Sequence, residues 1–422
     1  MEETHSENHE GSTIPRPIFR ESEAPPPRPP AFSLFPARPS AHFSAMSVPL
    51  LDLRRQYAPL KAQCLAAMEE VADSQALILG PRTEAFEKAV AEYCGAPHAI
   101  GCSSGTDAQL VLLMALGVGP GDVVVTTPYT FFATAGCVVR LGATPVFVDI
   151  DPHTFNLDVR QLAELLNRTA NVKAIIPVHL FGQCADMAAI LDLGKTHGVP
   201  VLEDAAQALG ARHPLGHAGA LGQAGWFSFY PTKNLGAFGD AGMVVCHDDA
   251  LAAKMRALRN HGMEPRYFHP LIGGNFRIDA LQSAILHIKL PHLDSWSAGR
   301  RDRAAYYRRE MEGAGLLGHL TLPVESWPGG ELQHIYNQFV VRTPRRDALR
   351  AHLTARGIGT EIYYPLPLHQ QECFRYLGYK AGDFPESERA AQESLALPIF
   401  PELTEAEQAE VVAALAEFFT AA

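Results

Sequence analysis

Apolar positions between Asp107 and His247 recur with two alternating spacings. Leu110, Leu113 and Met114 stand at i, i+3 and i+4 behind Ser104-Gly105-Thr106, which predicts a helix opening after that turn. Apolar runs rich in β-branched residues over 122–127, 144–150, 172–180, 199–203, 226–230 and 243–246 predict strands. Helical spacing fills gaps between them at 158–167 and 185–197. Alternation of this kind predicts an α/β domain, a mostly parallel sheet covered by helices on both faces.

Beyond Asn275 the pattern changes. Helices are expected over 278–290 and 298–312, a strand over 337–341, and helices over 345–356 and 405–419. This reads as a smaller C-terminal α+β domain, with large and small domains at 47–300 and 301–422. Residues 1–46 differ from both. The run Ala24-Pro25-Pro26-Pro27-Arg28-Pro29-Pro30 holds neither a helix nor a central strand, so a disordered proline-rich tail is expected there.

The 422 residues are 47% hydrophobic and 19% charged, as expected of a chain with large cores. A formal charge of −11 without a long basic run argues against nucleic-acid binding. No apolar run suggests a membrane span, and acidic residues at 2, 3, 7 and 10 do not fit a secretory signal, so a cytoplasmic protein is expected. The seven cysteines form no C-x-x-C pair and read as reduced thiols. No metal site is expected, and His179 and His261 read as core or pocket-wall histidines.

Three segments carry candidate chemistry. Gly101 to Asp107 is a glycine-containing turn opening a helix, whose free N–H groups and dipole suit a phosphate; an ordinary capped helix start reads the same way. Val201-Leu202-Glu203-Asp204-Ala205-Ala206-Gln207 brings a carboxylate to the carboxyl end of a strand, where α/β ligands sit. Phe227 to Gly236 ends an aromatic strand at Pro231 and places Lys233 among apolar and glycine residues. A solvated loop lysine reads the same way, whereas one held in an apolar pocket has its charged form disfavoured and becomes a usable nucleophile. Phosphate cradle, carboxylate and reactive lysine together are what pyridoxal 5′-phosphate requires.

Segments along the chain then match one family in order. They include Ser104-Gly105-Thr106-Asp107-Ala108, Glu203-Asp204-Ala205-Ala206-Gln207, Lys233-Asn234-Leu235-Gly236, Gly274-Asn275-Phe276-Arg277 and Tyr363-Tyr364-Pro365-Leu366-Pro367. From about Val48 onward the sequence resembles the DegT/DnrJ/EryC1/StrS sugar aminotransferases, pyridoxal-phosphate enzymes of fold type I with a seven-stranded sheet. The resemblance implies a Schiff-base and proton-shuttle role for Lys233. It assigns the pyridine-nitrogen partner to Asp204 and the neighbour of the cofactor's 3-hydroxyl to Gln207. It implies a phosphate site at Gly105, Thr106 and Ser228, ring stacking by Phe131, and substrate contacts at Tyr363, Tyr364 and Arg277. Asn275 would reach the partner subunit's phosphate site in a homodimer. The implied reaction moves an amino group from glutamate to the 3- or 4-keto group of a nucleotide-linked sugar. A cyclitol transaminase, and a cofactor-binding regulatory protein without turnover, are the alternatives.

Overall fold

The computed structural model describes residues 47–327 and 330–420, and the expected disordered tail lies outside the described residues. The central strands are β1 (His98–Cys102), β2 (Val123–Thr126), β3 (Thr144–Phe147), β4 (Val172–Ile175), β5 (Leu202–Asp204), β6 (Ala224–Ser228) and β7 (Gly242–Cys246). A four-stranded unit, β1-β7-β6-β5, and a three-stranded unit, β3-β2-β4, form one sheet. They join where the Asp204 N–H donates to the Pro177 carbonyl (3.0 Å) and the His179 N–H to the Asp204 carbonyl (2.9 Å).

All these pairings are parallel except two: β7 runs antiparallel to both β6 and β1. The expectation of a mostly parallel sheet holds, and the exception has a local cause. Residues 229–241 connect β6 to β7 without a crossover helix, and a connection of that kind returns the chain antiparallel. β1 is a strand that periodicity misses. Its sequence His98-Ala99-Ile100-Gly101-Cys102 lacks a β-branched run and carries a glycine. Glycine is required there, because a Cβ on Gly101 would fall 2.6 Å from the Ile278 Cγ2.

Side-chain alternation along β6 and β7 sends Phe227, Met243 and Val245 into one core with Phe86, Ile278 and Leu286. Trp226 and Val244 enter another with Leu110, Leu113 and Met255. Helices expected at 158–167 and 185–197 form as Val159–Leu166 and Met187–His197, each opened by an aspartate that caps backbone N–H groups. Among the described residues no helix is long and apolar enough to cross a membrane.

The helix Leu293–Gly313 begins against the first core with Leu293 and ends in a third with Ala304, Tyr307 and Met311. That third core also holds Phe339 and Leu397, from an antiparallel pair made by β8 (Phe339–Arg342) and β9 (Ser394–Leu397). Midway along the helix, Arg300 is 2% exposed. Its Nη1 donates to the carbonyls of Tyr336 (3.1 Å), Asn337 (3.4 Å) and Ile399 (2.9 Å). Burial presses its pKa down to about 10, which leaves it charged at neutral pH. Arg300→Met orphans those carbonyls, and unfolding free energy should fall by roughly 2–4 kcal/mol. Urea denaturation reads this as a lower midpoint, and an unchanged midpoint would refute the staple role.

Candidate active site

β5 delivers Asp204 to the carboxyl end of the sheet, the rim where ligands of parallel α/β sheets bind. The carboxylate is buried, accepts the Thr134 hydroxyl (2.8 Å) on one oxygen and the Ala206 N–H (3.2 Å) on the other. Burial pushes its pKa up, while those two bonds and the positive charge of Lys233 pull it back.

Glu203, one residue earlier, points to the opposite face, as strand alternation requires. It accepts the N–H groups of Gly219 (2.8 Å), Leu221 (2.6 Å) and Gly222 (2.7 Å). His179 completes the set through Nε2 at 2.8 Å. The other ring nitrogen, Nδ1, accepts the Ala185 N–H at 3.1 Å, so the proton sits on Nε2 and the neutral ring donates to Glu203. His179 is the core histidine expected from sequence. His261 is not a core histidine: it is exposed on a loop at φ 61°.

Lys233 follows the end of β6. Its N–H closes a turn onto the Tyr230 carbonyl (2.8 Å), and the next residue, Asn234, reaches the Ile335 carbonyl (3.1 Å). Surrounding protein presses the lysine pKa down to about 8 against the pull of Asp204. The residue is half-buried.

The helix Gly105–Ala115 opens at the same rim. Ser104 caps it by accepting the Asp107 N–H (3.0 Å), leaving the Gly105 and Thr106 N–H groups without intrahelical acceptors. A Cβ at Gly105 would lie 2.8 Å from the Ser228 Cβ, so only glycine lets this helix end meet the end of β6. The result is a shallow cradle of backbone N–H groups beside a hydroxyl, with the dipole favouring an anion. Buried carboxylate, charge-depleted amine and anion cradle on one rim fit the pyridine nitrogen, aldehyde and phosphate of pyridoxal 5′-phosphate.

Other expected residues take varied positions. Gln207 accepts the Phe181 N–H (2.7 Å) and donates to the Tyr364 hydroxyl (2.9 Å). Tyr364 is buried, edge-on to Tyr129, whereas Tyr363 is 38% exposed. Tyr363 lines a cavity of about 80 Å³ with Thr232, Arg300 and Gln338. Phe131 is 61% exposed, and its carbonyl accepts the N–H of Thr134, the residue that bonds Asp204. Arg277 donates to Asn260 (2.6 Å), and its segment runs beside the end of β1 through a bond from the Ser103 N–H to the Phe276 carbonyl. Asn275 is exposed, and none of its hydrogen bonds among the described residues reaches Lys233, Asp204 or Gln207.

Thr134, which bonds Asp204, and the His179–Glu203 pair, which braces β5 from its far face, are residues whose roles motif reasoning overlooks. The one signal for Glu203 was its place in an acidic pair closing a buried strand: alternation sends one member away from the site, where it needs several donors. A cavity of about 960 Å³ beside Arg212, Arg301 and Arg308 is lined by none of these groups, so volume does not locate this site.

Comparison with known proteins agrees with the geometry. Residues 59–416 match the DegT/DnrJ/EryC1/StrS aminotransferase family. The chain is 50% identical to a pleiotropic regulatory protein of Geobacillus stearothermophilus, over 89% of this chain and 99% of that one. It is 42% identical to the UDP-N-acetyl-3-dehydro-alpha-D-glucosamine 3-aminotransferase of Acidithiobacillus ferrooxidans, over 86% of this chain and 96% of that one. The solved structure of S. venezuelae DesV in complex with a ketimine intermediate superposes with a TM-score of 0.83 at 42% identity, covering 88% of this chain and 98% of that one. The chain belongs to the DegT/DnrJ/EryC1/StrS aminotransferase family.

Proposed function

We propose that this protein is a pyridoxal-phosphate-dependent aminotransferase that moves an amino group from glutamate to a 3- or 4-keto nucleotide-linked sugar, in amino-sugar synthesis. The observation that carries the chemistry is the Lys233 amine, its pKa depressed to about 8, facing a buried Asp204 on the rim that also holds the free N–H groups of Gly105 and Thr106. The substrate class rests on the relatives, which include a UDP-sugar 3-aminotransferase.

When bound, the cofactor supplies an electron-poor ring that takes up the electron pair released at the substrate carbon. Asp204 would partner the protonated ring nitrogen, and the bonds from Thr134 and the Ala206 N–H favour its charged form against the effect of burial. Lys233 would be the amine that holds the cofactor through its aldehyde, and its neutral form would serve to move a proton at the substrate carbon. A pKa of about 8 leaves roughly a tenth of the amine neutral at pH 7, against a few parts in ten thousand for an ordinary lysine. Gly105, Thr106 and Ser228 would hold the phosphate, with Phe131 against the ring and Gln207 near the 3-hydroxyl. Tyr363, Tyr364 and Arg277 contact substrate.

Asn275 enters only in an assembly. Its exposure, away from its own protomer's hydrogen-bonded site residues, supports a homodimer in which it completes the partner subunit's phosphate site.

A catalyst and an idle cofactor-binding regulator respond differently to glutamate. Added to the cofactor-loaded protein, glutamate should shift the cofactor absorbance to that of pyridoxamine phosphate, and a keto-sugar nucleotide should reverse the shift. No change with glutamate would favour the regulatory reading, which the name of the Geobacillus relative raises.

Capture of pyridoxal phosphate by cofactor-free protein should speed up as pH rises through about 8, because the neutral amine fraction grows until the lysine is fully deprotonated. Lys233→Ala should abolish both this covalent capture and turnover while still binding the cofactor reversibly. Turnover near wild type in that variant would remove Lys233 from the chemistry.

Asp204→Asn should retain cofactor and lose about a hundredfold or more in kcat, with KM little changed, since an amide cannot stabilise a protonated ring nitrogen. A change confined to KM would make Asp204 a structural cap.

Mixing Lys233→Ala with Asn275→Ala protomers tests the shared site. Heterodimers would carry both lesions in one site and none in the other, so activity should rise above either parent. Lack of rescue would mean that each subunit's site is self-contained.

A further inference from the structure

Outside the site, one buried amine lacks the partner such a group normally requires. Lys289, last residue of the helix Ala280–Lys289, is 6% exposed. It adjoins an apolar cavity of about 350 Å³ lined with Tyr57, Leu60, Cys64, Pro231 and Phe238. Burial presses its pKa down to about 8, and no carboxylate among the described residues offsets that effect. Removing an ammonium from water without a counter-ion is costly, so a retained buried lysine needs another reason.

Its surroundings supply one. The Nζ donates a hydrogen bond to the Gly236 carbonyl, three residues after Lys233. The rings of Phe238 and Trp296 flank the same nitrogen at 5.8 and 5.9 Å. Two turns earlier on the same helix, Gln282 accepts the Phe238 N–H at 2.8 Å. Gly236 itself packs closely on the Pro231 carbonyl, where a Cβ would stand 2.2 Å from the oxygen. The helix thus bonds the Lys233 loop at two points, the Gly236 carbonyl and the Phe238 N–H.

We propose that Lys289 is a positioning residue: by donating to the Gly236 carbonyl it fixes the loop that presents Lys233. The inference rests on the reading of Lys233 as the reactive amine, and it assigns Lys289 no contact with cofactor or substrate. Backbone held at Gly236 restricts where the Lys233 side chain starts, and a misplacement near one ångström is enough to slow a bond-forming step.

The test compares Lys289→Met, which packs in the same space without a donor, with Lys289→Arg, which keeps a donor and has the neighbouring cavity to lengthen into. Amide hydrogen exchange on cofactor-free protein reads the loop directly. In Lys289→Met the Ala237 and Phe238 amides should exchange about tenfold faster, with exchange in β5 unchanged. On loading, cofactor capture and kcat should each fall about tenfold while KM stays within about threefold, and Lys289→Arg should restore both. Native exchange and native kcat in Lys289→Met would overturn the proposal. So would a folded Lys289→Arg as impaired as Lys289→Met, because the donor would then not be what matters. If Lys289→Met fails to melt cooperatively, Lys289→Gln, with its shorter donor, makes the same comparison and should fall between wild type and full loss. Failure of wild-type protein to take up any pyridoxal phosphate would defeat the functional reading instead, while the exchange comparison still decides the clamp.

Discussion

A buried carboxylate and a half-buried amine meet at the end of β5, and the protein takes water away from both. Burial acts on them in opposite senses, pushing the Asp204 pKa up and the Lys233 pKa down, so both drift toward neutrality. Their mutual attraction opposes both drifts. What separates them is hydrogen bonding. Asp204 has Thr134 and the Ala206 N–H to favour its charged form, whereas the balance at Lys233 is set by burial against the single pull of Asp204. Hydrogen bonds thus oppose the effect of burial at the carboxylate, while at the amine only the charge of Asp204 does, so the two groups are tuned by different means.

Such a pair works only if the backbone under it does not move. Glu203 supplies that rigidity on the far side of β5, collecting three backbone N–H groups and His179. A buried carboxylate short of donors would be a liability; with four it fixes the strand against the 219–222 loop. The Lys233 loop is secured in the same manner, by Asn234 on the Ile335 carbonyl and by the Ala237 N–H on the Phe229 carbonyl. Polar groups hold both limbs because glycines at 219, 222 and 236 leave little side-chain packing to do so.

The α/β alternation was legible in the chain because each strand between 122 and 246 carries apolar residues bounded by turn signals. Asp204 and Lys233 were legible for a related reason: each ends or follows a hydrophobic strand. A capping aspartate or a solvated loop lysine would read the same alone, but the two together with the glycine turn point to one site. β1 and β9 were not, since His98-Ala99-Ile100-Gly101-Cys102 and Ser394-Leu395-Ala396-Leu397 are short and poor in β-branched residues, and take their conformation from β7 and β8. Thr134 was also hidden. Nothing in Phe131-Phe132-Ala133-Thr134 announces a hydroxyl aimed at Asp204, because that contact joins residues seventy positions apart.

The reversed strand explains how the separate parts meet. Because β7 runs antiparallel to both neighbours, its first residue, Gly242, pairs with the last residue of β1, Cys102, and the last residue of β6, Ser228. The rim at Gly242 therefore collects the start of the helix that follows β1 and the loop that follows β6. A parallel β7 would have ended, not begun, at this rim, and the Lys233 loop would have had to cross the sheet. The meeting is also tight: a Cβ on Gly242 would stand 2.3 Å from the Ser104 carbonyl, as one on Gly105 would strike Ser228. Glycine at both positions lets the helix end approach the strand closely enough for backbone N–H groups, a hydroxyl and the Lys233 loop to face one small space. Fold topology and two missing side chains thus bring the anion cradle to the amine.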